Sequence, residues 1–198
     1  KLPLVGRVAM REALRFEGKM MAASVSRTAD RWFIAFQVDV PDSQFHRKRT
    51  GHGVVGADLG IKAAVTLSTG ESIQAPRPLK RALRRLQIRE RRQSRKIEAA
   101  KAAMGLAGKR VPKGTRISKS KNFLKSSATS ARLHARIANV RADFLHKLTT
   151  QLCRENQAVA IEDLNVSGML TNEKLARAII DVGFYEFRRQ ITYKAARY

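Results

Sequence analysis

Between Arg77 and Lys125 the chain carries 18 lysines and arginines against only two acids, Glu90 and Glu98. Solvated helix faces ordinarily mix both signs, so a stretch this one-sided reads as a surface built for a polyanion. The whole chain repeats the imbalance, with 40 Lys+Arg, 16 Asp+Glu and a net charge of +24 over 198 residues. Such a charge repels itself in the compact state and calls for a polyanionic partner or high salt. Nucleic acid is the expected partner, because each neutralised phosphate releases counterions. An anionic membrane is the rival, but the sequence offers no long apolar span, signal peptide or basic amphipathic anchor, so no membrane partner is expected.

The rest of the chain can fold, since 43% of all residues are hydrophobic. Cys153 is the single cysteine, which excludes an intrachain disulfide and a Cys-based zinc site, and it reads as a core residue. His46, His52, His134 and His146 show no metal-ligand spacing, and the chain reads as cytoplasmic. Residues 1–44 read as β, with Val25 to Val40 forming two runs around the polar turn Arg27-Thr28-Ala29-Asp30 and an earlier run from Val5 to Leu14. They resemble the end of a small β-barrel, followed by a basic linker over 45–53. Val54 to Gly60 is a short buried strand carrying one acid, Ala63 to Ser68 a second and Glu71 to Gln74 the start of a third. Pro76 and Pro78 introduce a helix from Leu79 to Met104 with an apolar stripe of Leu79, Leu83, Leu86, Gln93 and Ile97. A second helix runs from Ala128 to Glu155 on Leu133, Ile137, Val140, Phe144, Leu148 and Leu152. Ala158 to Ile161 is a fourth strand, and two more helices cover Asn172 to Asp181 and Phe184 onward.

The order is thus three strands, two helices, a strand and further helix, an α/β pattern with an acid closing the first strand (Asp58) and the fourth (Glu162). In a ribonuclease-H-like sheet those two strands are parallel neighbours at the centre, and ligands of open α/β sheets bind at the carboxyl ends of strands. Two carboxylates there can hold one or two Mg²⁺ or Mn²⁺ ions, which prefer oxygen ligands and promote in-line phosphodiester displacement. The plain alternative is that Asp58 only forms a turn before Gly60. Asp163 caps a local turn or points away, and it stays an alternative ligand to Glu162.

Val55-Gly56-Ala57-Asp58-Leu59-Gly60-Ile61-Lys62 resembles the first block of the TnpB (OrfB) proteins of bacterial insertion sequences. So do Ala131-Arg132-Leu133-His134 through Ala138-Asn139, with Asp143 to Leu148, and Ile161-Glu162-Asp163-Leu164-Asn165-Val166 with Gly168-Met169. Members of that family are transposon-associated, RNA-guided DNA endonucleases related to type V CRISPR effectors. The resemblance implies a RuvC (ribonuclease-H-like) domain over 54–198, with a helical insertion at 78–155 and the closing part of a wedge barrel over 1–44 that contacts guide RNA. It makes Asp58 and Glu162 the catalytic metal ligands, and guide RNA and target DNA the partners. Arg81, Arg84, Arg85, Arg89, Arg91, Arg92 and Arg95, with Arg132, Arg136 and Arg141, then track phosphates. Trp32 and Phe33 are expected in a core, with base stacking as the alternative.

The chain opens on Lys1 and stops at Tyr198 inside a helical pattern, so both ends read as cut. The family's recognition helices, last strand, third catalytic Asp and Cys-x-x-Cys zinc ribbon have no counterpart here. The expectation is an incomplete RuvC core in which Mg²⁺ or Mn²⁺ would need that third carboxylate, so that metal affinity is compromised and the chain does not cleave by itself. A non-catalytic nucleic-acid binder is the alternative function. An actin-like or sugar-kinase ATPase shares the Asp-x-Gly hairpin but lacks support from any second phosphate loop or Gly-rich adenosine segment.

Overall fold

Two short apolar runs separated by nearly a hundred residues make the centre of the fold. In the computed structural model, which describes residues 6–198, β3 (Gly53–Leu59) and β6 (Asn156–Ile161) pair in parallel, Val55 with Val159 and Ala57 with Ile161. A parallel pair needs a long crossover. Here it is supplied by α2 (Pro78–Ala102) and α3 (Lys121–Glu155). β4 (Val65–Leu67) and β5 (Ser72–Ile73) extend the sheet antiparallel to give the order β5-β4-β3-β6. Both are shorter than the apolar runs at Ala63 to Ser68 and Glu71 to Gln74 suggested. β6 lies at an edge of the described sheet, not at its centre.

The pleat sends alternate residues of β3 to opposite faces. Val55 and Ala57, with Val65 of β4, are buried among Leu145, Leu148, Leu152 and Cys153 of α3 and Phe184, Phe187 and Ile191 of α6 (Phe184–Ala195). Ile179 and Val182 of α5 (Glu173–Val182) complete that core. Gly183 ends α5 and starts α6 at φ +85°, where a side chain would crowd Leu145 and Arg141, so glycine meets both the backbone and the space requirement. The opposite face of the sheet is open, with Val54 71% exposed.

α3 begins earlier than the periodicity indicates, at Lys121, because Ser120 caps it by accepting the amide of Phe123 at 3.1 Å. Its apolar stripe also departs from expectation. Val140 is 39% exposed and Leu145, not in the expected stripe, is 1% exposed. On α2 the buried positions are Pro78, Ala82 and Leu86, whereas Leu83 is only half-buried and Ile97 is exposed. Ala82 and Leu86 pack with Leu133 and Ile137 of α3 in a small core of their own.

The N-terminal segment departs most from expectation. Residues 1–5, where the expected β region starts, lie outside the described residues, and residues 7–18 contain no strand. β1 (Lys19–Thr28) and β2 (Arg31–Asp39) form an antiparallel ribbon, the only two strands of their sheet among the described residues. The turn is tighter than expected, at Ala29 and Asp30. Trp32 is 69% exposed, Phe33 is exposed too, and the guanidinium of Arg27 lies over the Trp32 ring. A two-stranded ribbon has no second layer to bury its aromatics, which corrects the expectation that these two rings belong to a core. The expected linker contains the end of a one-turn helix, α1 (Asp42–Phe45), and is tied down. The amide of Arg47 donates to Arg197 O, Arg197 Nε donates to Phe45 O, and the amide of Thr50 donates to Arg154 O.

Candidate functional site

Asp58 stands next to Ala57 on β3 and therefore points to the open face, opposite the core. Its cross-strand partner on β4 is Thr66, and that of Thr66 on β5 is Ser72. Residues paired across a sheet share a face, so one carboxylate and two hydroxyls form a row. Glu162 follows Ile161, whose partner is Ala57, and so comes one register step on, beside Asp58. Both acids are exposed, and neither makes an ion pair among the described residues. No three His, Cys, Asp or Glu side chains cluster as a metal site among the described residues. The carboxylate of Asp163 is paired with Arg188 of α6. It is thereby held toward that helix, which leaves Glu162 as the unpaired acid of the two. Past the end of β3 lies a cavity of about 710 Å³ lined by Gly60, Ile61, Lys62, Thr66, Ser72 and Met169, among others.

The ten arginines expected to meet phosphate separate into two groups. Arg89 Nη1 donates to the carbonyl of Thr129 at 2.5 Å, Arg141 Nη1 to that of Ile180, and Arg132 forms a 2.9 Å ion pair with Asp30 of the hairpin turn. These three hold elements together. Arg81, Arg84, Arg85, Arg91, Arg92, Arg95 and Arg136 are exposed and make no ion pair among the described residues. Six of the seven lie on α2, spaced by three, four or seven residues, so they form rows along the helix away from the face packed on α3.

Three residues with structural roles, the first two beside the site, are not singled out by the sequence. Arg77 counts there only as part of the basic run, yet its Nη2 donates to the carbonyls of Ile61 and Lys62 at 2.7 and 2.5 Å, pinning the turn just after Asp58. Asp181, which matches no motif, is 4% exposed and accepts the amides of Leu79 and Lys80, each at 2.9 Å. Lys194 is buried between α3 and α6, where its Nζ donates to His146 O and to the hydroxyls of Thr149 and Thr150, each at 2.8 Å. Burial lowers its pKa from the ordinary lysine value. Burial also raises that of the Cys153 thiol, which keeps it protonated and fits its role as a core residue.

Among the described residues no helix is long and apolar enough to cross a membrane. The family model OrfB_IS605, described as "Probable transposase", matches residues 35–173, well over half of the chain. A "Putative RNA-guided DNA endonuclease" of Streptomyces pristinaespiralis is 42% identical over 176 residues, 88% of this chain and 38% of that protein. The "Putative RNA-guided DNA endonuclease InsQ" of Escherichia coli K12 is 28% identical over 98% of this chain and 46% of its own length. A protein of Mycobacterium tuberculosis, "Putative RNA-guided DNA endonuclease Rv2885c", is 29% identical over 100% of this chain and 43% of its own length. The chain thus spans less than half the length of these curated relatives. With a family model matched across most of the sequence and the Asp58 and Glu162 blocks in order on parallel strands, the chain belongs to the TnpB (OrfB) family.

Proposed function

We propose that this chain holds nucleic acid along α2 and presents Asp58 and Glu162 as two carboxylates of a RuvC-type, metal-dependent nuclease centre within an RNA-guided DNA endonuclease. The observation that carries the reading is the parallel register of β3 and β6, with Ala57 beside Ile161 and each acid one residue further on. Both are exposed and free of ion pairs among the described residues, so their oxygens suit a hard divalent cation such as Mg²⁺ or Mn²⁺. Such ions supply an activated water and offset charge on the leaving oxygen. The protein's part is to hold that metal with Asp58 and Glu162 and to keep Asp163 on Arg188, away from it. The exposed arginines of α2 position phosphates without reading sequence, a task that falls to base pairing with a guide RNA. The β1–β2 ribbon, with Trp32 and Phe33 exposed beside Arg27 and Arg31, suits stacking on unpaired bases of that RNA.

Fluorescence anisotropy with an RNA–DNA heteroduplex tests the binding half. Affinity should fall linearly with salt on logarithmic axes. Replacing Arg85 and Arg92 together by alanine should flatten that slope by about 2, since each arginine neutralises one phosphate. Asp58→Ala should leave affinity unchanged. Salt-insensitive binding, or loss of binding on Asp58→Ala, would overturn the reading.

A further inference from the structure

Arg77 joins the arginine helix to the strand that bears Asp58. It immediately precedes Pro78, the first residue of α2, at φ +46° and ψ +56°. That left-handed backbone is unfavourable for a residue with a side chain and persists where the surroundings over-determine it. What holds it here is the guanidinium, whose Nη2 donates to the carbonyls of Ile61 and Lys62. Those two residues lie in the turn after β3, three and four positions past Asp58, and line the cavity at that end of the sheet. No other side chain among the described residues hydrogen-bonds to them. Among the described residues, the rest of the turn is held by backbone bonds, the amide of Gly60 to Ala64 O and that of Ala64 to Ile73 O.

The other end of the same connection is fixed. α2 has no capping side chain of its own, and its first free amides, at Leu79 and Lys80, are taken by the buried carboxylate of Asp181. Arg141 of α3 donates to the adjoining carbonyl of Ile180. Both long helices are therefore tied at residues 180–181 of α5. Beyond that tie α2 meets α3 through a core of four fully buried residues and through Arg89, Gln93 and Lys96, which donate to the carbonyls of Thr129, Ser126 and Asn122. A load on the exposed arginines of α2 thus acts on a helix fixed at its first turn by Asp181 and along one face by α3, with Arg77 on the other side of the first-turn anchor.

We propose that Arg77 is a positioning residue that couples nucleic acid bound along α2 to the turn following Asp58, with Asp181 as the fixed point. The proposal rests on the reading of α2 as a phosphate-binding surface. Both bonds leave one planar nitrogen, Nη2, which holds the two successive carbonyls together; a lysine ammonium has donors enough but a shorter reach and no fixed plane, so it reproduces the contact only in part.

Hydrogen–deuterium exchange on the whole chain, free and with a single-stranded DNA oligonucleotide spanning α2, tests this. In the parent the oligonucleotide should slow exchange along α2 and also across residues 60–64. In Arg77→Met the slowing on α2 should remain and that across 60–64 should disappear, whereas Arg77→Lys should retain part of it. Arg77→Gly removes the guanidinium while relieving the left-handed strain, so it gives the same loss in a variant not burdened by misfolding. Persistence of the response at 60–64 in both Arg77→Met and Arg77→Gly would overturn the coupling, as would a parent in which α2 slows and 60–64 does not. An oligonucleotide that leaves α2 itself unchanged would overturn the binding function and the coupling with it.

Discussion

Glu186 accepts two 2.8 Å bonds from Arg189, through Nε and Nη2, and a third from Gln190 Nε2. The Arg189 guanidinium accordingly holds its pKa down, from 4.5 to about 2. A carboxyl depressed in the folded state contributes stability that is complete above its unfolded pKa and is lost as pH falls through its folded one. Stability should therefore decline between about pH 4.5 and about pH 2 in part through this group. Glu186→Gln should flatten that limb in urea unfolding measured across the window, and an unchanged limb would count against the bidentate pair. Other residues differ in how far the sequence alone discloses them. Asp58 and Glu162 stand out as candidates because each closes an apolar run, Asp58 alone and Glu162 with Asp163 beside it. Asp181 is not, because its partners, the amides of Leu79 and Lys80, are about a hundred positions away. The signal was indirect: Pro78 starts a helix and the residue before it, Arg77, cannot cap one, so an acceptor had to come from elsewhere.

At the scale of elements, periodicity located both long helices and all four strands of the mixed sheet but misassigned part of α3. The cause is that α3 has two partners. Leu133 and Ile137 face α2, whereas Leu145, Leu148 and Leu152 face β3, α5 and α6. The apolar stripe passes from one partner to the next near Val140, which is left exposed between the two cores. A stripe counted at spacings of three and four cannot show where the partner changes. Leu145→Ala should accordingly cost about 2–5 kcal/mol. Val140→Ala should stay within about 0.5 kcal/mol, as for an ordinary surface position. Urea midpoints at constant slope would check the pair, and equal costs would mean that Val140 belongs to a core after all. The β1–β2 ribbon shows the other limit of sequence reading. Alternation predicts strands, but it does not say what covers them, and the expected core aromatics Trp32 and Phe33 are exposed.

For the whole molecule, the charge and the sheet suggest one arrangement. The basic excess is concentrated on α2 and the following loop, which leave the sheet beside the turn that follows Asp58, while the open face carries the acids and the Thr66 and Ser72 hydroxyls. The cationic helix and the two exposed carboxylates of the proposed centre are thus kept on separate elements, joined at Arg77 and Asp181. That separation predicts that metal binding and nucleic-acid binding can be removed independently. Mn²⁺ titration followed by electron paramagnetic resonance, on the chain without nucleic acid, is the most direct test of the proposed centre. The parent should bind Mn²⁺ weakly, with two carboxylates of three, Asp58→Ala and Glu162→Ala should each abolish that binding, and Asp163→Ala should retain it; a parent that binds no Mn²⁺ would contradict the centre as drawn. Mn²⁺ binding that survives both Asp58→Ala and Glu162→Ala, or that is lost in Asp163→Ala alone, would contradict the assignment of the two carboxylates.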